Sequence, residues 1–102
     1  LCDVRVDNLM DELLREIEIV NELGLHARAA AKLAGLAQKA SARVWIIKGD
    51  EQADASSVID ILTLACPKGA IITVKIEKKS DLNVLEDIAK LAENGFNEDE
   101  LC

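Results

Sequence analysis

The chain has 102 residues, half of them apolar, enough to enclose a core without disulfide or metal staples. Its net charge is −7, from 19 acids and 12 bases, which argues against a nucleic-acid backbone or an anionic membrane surface as partner. With one Trp, one Phe and no Tyr, the core must come from Ile, Val, Leu and Ala, and base-stacking platforms are not on offer.

Residues 1–14 mix acids with Leu and Met; Asn8 can cap a short helix over residues 9–14, and the segment reads as an extension ahead of the main domain. Residues 15–20 alternate charged and β-branched side chains, with Ile17 and Ile19 on one face, the pattern of a half-buried strand. A loop over residues 21–25 contains Gly24. From Ala27 to about Ala40 the run is alanine-rich, and Ala30, Leu33, Ala34 and Ala37 recur at helical spacing. Residues 43–48 form a second strand, Gly49-Asp50 a turn, and residues 51–54 a short return strand. A short helix is expected over residues 56–64. Its start signal is Ser57 followed three residues later by Asp60, a capping box with the shorter acid. After a turn at Pro67-Lys68-Gly69, residues 70–77 read as a strand with Ile72, Val74 and Ile76 on one face. Ser80 or Asp81 caps a last helix whose buried stripe is Val84, Leu85, Ile88, Leu91 and Ala92, and Gly95 ends it.

Strands with one polar face suit an open antiparallel sheet with helices on the other face. The expectation is an α+β fold, an open-faced two-layer sandwich. Four antiparallel strands are covered on one face by three helices, in the order β-α-β-β-α-β-α. Residues 15–95 make the domain, and residues 96–102 an acidic tail. The odd cysteine count and wide spacing of Cys2, Cys66 and Cys102 do not make a disulfide framework, so all three read as reduced thiols and the chain as cytoplasmic. No window is apolar enough for a transmembrane helix, and no signal-peptide pattern is present.

The only histidine, His26, falls at the mouth of the first expected helix, with Gly24 upstream and Arg28 in the first turn. Free N–H groups and the helix dipole make such an end an anion site, phosphate above all. The backbone amides of Ala27 and Arg28 would face the anion, and the Arg28 fork suits phosphate oxygens. The positive helix end disfavours imidazolium, so the ring keeps a lone pair with which to attack phosphorus. His26 is thus a candidate phosphoryl acceptor and Arg28 its charge partner. On residue types alone, a histidine ahead of a helix is also an ordinary polar cap, and an arginine there an ordinary solvated side chain. A lone histidine is a poor metal site, and none is expected.

The stretch Gly24-Leu25-His26-Ala27-Arg28, followed by its helix, resembles the active-site motif of HPr, the histidine-containing phosphocarrier of the sugar phosphotransferase system. The similarity runs from about Glu16 to Asn94. Residues 55–64 resemble that family's second-helix segment, with Ser57 at its regulatory serine position. The resemblance implies a phosphoryl carrier without cofactor, rather than a stand-alone catalyst, acting as a monomer. It implies that phosphorylated Enzyme I loads Nδ1 of His26 and that enzyme IIA domains unload it. It further implies a docking patch at Val58, Ile59 and Leu62, some of which could equally face the core. A serine kinase and phosphorylase acting at Ser57 would complete the family pattern. Two departures stand out. Ala29 replaces a proline that suits a first helical turn, and Asp60 replaces a glycine. Asp60 would repel a phosphate on Ser57, whose hydroxyl serves equally as a plain N-cap.

Two other readings belong to different classes. One is a regulatory binding module of the same fold, switched at Ser57. The other is an unrelated small-ligand domain, which would need more converging polar groups than this chain offers. Retention of both His26 and Arg28 favours the carrier.

Overall fold

The alternation of apolar and polar residues in four short runs builds one antiparallel sheet, in spatial order β1-β4-β2-β3. The computed structural model describes residues 13–97. Strand β1 (Leu14–Glu18) pairs with β4 (Ile71–Ile76), setting Ile17 opposite Ile72 and Arg15 opposite Val74. Strand β2 (Val44–Lys48) lies between β4 and β3 (Glu51–Asp54), and Gly49 makes the β2–β3 turn at φ +59. Helices α1 (Ala27–Ala37), α2 (Val58–Thr63) and α3 (Leu82–Glu93) cover one face. This is the expected open-faced sandwich in the expected element order.

The core lies between the layers. Ile17, Ile46, Val74 and Ile76 rise from the sheet to meet Leu33 of α1, Ile61 of α2, and Leu85 and Ile88 of α3. The alanine face of α1 (Ala30, Ala34, Ala37) is fully buried, its small side chains suited to close packing. In α3 the predicted stripe is buried except Leu91, which is half-buried at its margin.

Several local expectations are revised. Helix α1 stops at Ala37, with the Gln38 amide donating to the Ala34 carbonyl at 2.9 Å. Leu14, placed at the end of a short helix, is instead the first residue of β1, because pairing with β4 supplies ladder bonds there. The proposed cap Asn8 lies outside the described residues, as do Cys2 and Cys102. The capping box at α2 is only half formed. Ser57 Oγ accepts the Asp60 amide at 3.3 Å, but the Ser57 amide donates to the Asp54 carbonyl at 3.1 Å. Neither Ser80 nor Asp81 caps α3 through its side chain; a 3-10 turn, Lys79–Asp81, leads into it. The Asp81 carboxylate reaches across to the chain after α1. It accepts from the Ser41 amide at 2.9 Å, the Ser41 hydroxyl at 3.0 Å and the Ala42 amide at 3.1 Å. These bonds, the Ser41 amide foremost, hold its carboxyl below the usual range. Phe96, assigned to the acidic tail, is 1% exposed and part of the core, and Lys32 Nζ donates to its carbonyl at 2.8 Å.

Candidate functional site

The segment before α1 is bent and then clamped. Gly24 turns the chain at φ +67, and a Cβ there would lie 2.6 Å from the Cys66 carbonyl oxygen and 2.9 Å from Pro67 Cα. Only glycine meets both demands. The Leu25 amide donates to that same Cys66 carbonyl at 2.8 Å, and buried Asn21 donates from Nδ2 to the Gly24 carbonyl at 2.6 Å. Loop 21–25 is therefore pinned to the segment after α2, which fixes where α1 begins.

His26 is the N-cap of α1, with extended backbone (φ −80, ψ −179). Its carbonyl accepts the first helical bond, from Ala30 at 2.8 Å. Its ring is half-buried, with Nε2 out of solvent, and Nδ1 accepts the Arg28 amide at 3.3 Å. An accepting Nδ1 carries the lone pair, so the neutral ring bears its proton on Nε2. The first turn of α1 holds no acid; Ala27 and Arg28 are exposed, and Ala29 is buried against the core. The mouth of α1 thus combines a nucleophilic nitrogen, first-turn amides and an exposed cation, with no carboxylate in that turn to compete.

The surroundings were not visible in the sequence. Leu23, 69% exposed, lines a shallow depression beside His26 together with Leu25, Ala65, Cys66 and Pro67. Ala65 adopts a left-handed conformation at φ 51, carrying the chain sharply away from α2. Lys48 Nζ donates to the Leu64 and Ala65 carbonyls at 3.0 and 2.8 Å, capping the C-terminal end of α2 and opposing its dipole. Burial pushes the Cys66 thiol up, so it stays protonated and unreactive. Residues brought together from far apart in sequence give no local signal, so the close approach of Gly24 to Cys66 and Pro67 is seen only in the structure.

Ser57 stands at the mouth of neighbouring α2, half-buried. Asp60 lies in its first turn, and the Asp54 carboxylate accepts from the Ser56 hydroxyl and amide at 2.7 and 2.9 Å. Of the three patch residues, Ile59 is 74% and Leu62 39% exposed, whereas Val58 is half-buried against the core. Ile61 is the α2 side chain that points fully inward. Among the described residues no group of three or more His, Cys, Asp or Glu could hold a metal, and no helix is long and apolar enough to cross a membrane.

Residues 13–94 match the family model of the PTS HPr component phosphorylation site. The chain belongs to the HPr family. A phosphocarrier protein HPr of Xylella fastidiosa is 33% identical over 87 residues, 85% of this chain and 98% of that one. A phosphocarrier protein NPr of Shewanella violacea is 39% identical over 89 residues, 87% of this chain and 98% of that one. Among solved structures, an HPr of Thermoanaerobacter tengcongensis superposes with a TM-score of 0.79 at 30% identity, covering 83% of this chain and 96% of that one. As an HPr-family member the chain is a phosphocarrier of the phosphotransferase system, and its partners are enzymes of that system.

Proposed function

We propose that His26 Nδ1 is the phosphoryl acceptor, that phosphorylated Enzyme I loads it, and that an enzyme IIA domain unloads it. The single observation carrying this reading is the Arg28 amide donated to Nδ1, which marks Nδ1 as the unprotonated ring nitrogen and aims it at the mouth of α1; for attack that amide releases Nδ1 and passes to a phosphate oxygen. In the forward step Nδ1 attacks phosphorus. The new N–P bond forms as the bond from phosphorus to the donor breaks, and the donor leaves with that electron pair. The amides of Ala27 and Arg28 and the Arg28 guanidinium stabilise the charge on the equatorial oxygens, which is most of what phosphoryl transfer requires. Transfer to the acceptor repeats the displacement in the opposite sense.

Exposed Ile59, Leu62 and Leu23 are the apolar surface a partner would cover in the encounter, excluding water from the transferring group. Ser57 serves primarily as the N-cap of α2, because Asp60 and Asp54 place negative charge beside any phosphate added there. The carrier acts in the cytoplasm as a monomer. The experiment is phosphorylation with phosphoenolpyruvate and Enzyme I. The expected product is one phosphate that is labile in acid, stable in base and mapped to His26. No label, with the donor shown active on another HPr, overturns the reading.

A further inference from the structure

The peptide unit joining Gly24 to Leu25 stands one residue ahead of His26 and is held at both ends. Its amide, on Leu25, donates to the Cys66 carbonyl at 2.8 Å. Its carbonyl, on Gly24, accepts from the His26 amide at 3.0 Å and from Asn21 Nδ2 at 2.6 Å. The Gly24 amide closes the turn by donating to the Asn21 carbonyl at 3.1 Å. Of these four bonds only the one from Asn21 Nδ2 is made by a side chain, so it is the one that a residue type controls. Its acceptor is a carbonyl, so the amide nitrogen of Asn21 must face it; an oxygen in that place would be repelled.

Asn21 is 5% exposed, whereas its loop neighbours Glu22 and Leu23 face solvent. A polar side chain is costly to bury unless it is bonded, and a plain surface turn has no need of one at that depth. The chain after α3 backs it: a Cβ placed on Gly95 would lie 3.5 Å from Asn21 Cβ. Next to Gly95, Phe96 is buried in the core, and Lys32 of α1 donates to its carbonyl. Asn21 thus stands between a core-anchored segment and the peptide plane that leads into His26. We propose that Asn21 is a positioning residue for phosphoryl transfer. By fixing the Gly24–Leu25 peptide plane, it sets the direction in which His26 Nδ1 points and keeps that nitrogen on the Arg28 amide. The role rests on the assignment of His26 as acceptor. A reacting nitrogen whose backbone can swing spends less time aligned with phosphorus, so the loss falls on the transfer step and not on docking.

The test is Asn21→Leu in the full chain, which keeps the size of the side chain and removes its donor. In the unaltered chain, at a pH where the ring is neutral, NMR should find the two His26 ring nitrogens far apart in frequency, as in a ring protonated on Nε2. Asn21→Leu should draw them together as Nδ1 loses its place on the Arg28 amide. With phosphorylated Enzyme I as donor, kcat for loading the carrier should fall about tenfold while KM changes less than about twofold, because the exposed Ile59 and Leu62 are left in place. The ring spectrum needs no phosphoryl donor, so it decides the role of Asn21 separately from the acceptor assignment. A folded Asn21→Leu with a lower melting temperature but unchanged ring resonances and kcat overturns the proposal, leaving Asn21 a structural bond alone. Exchange of the Asn21 side-chain amide protons as fast as those of exposed Asn83, measured in the unaltered chain, also overturns it and does not depend on the variant folding.

Discussion

Two of the three helix mouths in this fold, those of α1 and α2, are capped alike but charged oppositely. At α1 the His26 ring accepts a first-turn amide at 3.3 Å; at α2 the Ser57 hydroxyl does the same at 3.3 Å. The first turn of α1 contains Arg28 and no acid, whereas that of α2 contains Asp60, with Asp54 just upstream. The α1 mouth presents no negative charge of its own in that turn to an incoming anion. The other has already been given its negative charge by the protein. Capping geometry by itself therefore does not define a phosphate site; it is the charges in the first turn that favour the α1 mouth over the α2 mouth for the proposed chemistry.

The largest expected effect tests that division directly. His26→Ala should abolish labelling by Enzyme I and phosphoenolpyruvate, while circular dichroism shows the fold intact. Label appearing on Ser57 in that variant would erase the distinction between the two mouths. Arg28→Ala should slow transfer about 100-fold with little change in melting temperature, since the side chain is exposed and its proposed task is electrostatic. An unchanged rate would leave the amides as the only donors.

Gly24→Ala sharpens the comparison by loosening one mouth and not the other. The added methyl meets the Cys66 carbonyl in a backbone conformation unfavourable to alanine, and destabilisation of about 3 kcal/mol is expected in denaturant unfolding. Asp81→Asn, distant in the fold's role from either cap, should cost about 2 kcal/mol and leave labelling unchanged. Because the folded state lowers the Asp81 carboxyl, its stabilisation is fully present above the unfolded value of about 3.9 and is lost as the pH falls through the lower folded value. The variant's deficit should therefore shrink in urea titrations taken progressively below pH 4. The smallest effect is Ser57→Ala, which loses an N-cap worth about 1 kcal/mol and should not change the labelling of His26. A large drop in labelling would tie the two mouths together functionally.

Much of this architecture is written locally. Apolar alternation over Ile72, Val74 and Ile76 and helical spacing over Ala30, Leu33, Ala34 and Ala37 depend only on the period of each element, so they are readable residue by residue. His26 ahead of an alanine-rich helix is likewise a local pattern, and it located the candidate site. Three of the misjudged features involve partners distant in the chain. Asp81 looked like a cap for its own helix, but its carboxylate satisfies Ser41 and Ala42, 40 and 39 residues away. Phe96 looked like the start of an acidic tail, but it closes the core under a carbonyl held by Lys32. Leu14 looked like the end of a helix, but it is the first residue of β1, paired opposite Lys75 of β4.

The sequence by itself determined the element order, the apolar faces and the candidate site residues His26 and Arg28, because each follows from the period or the residue type at one place. Only the tertiary structure decided that Gly24 must pass within contact of Cys66 and Pro67, that Ile59 faces out while Ile61 faces in, and that Asp81 serves a distant loop. Those outcomes depend on which buried donors, carbonyls and cavities long-range packing brings together, and no local pattern encodes the identity of a neighbour supplied from another part of the chain.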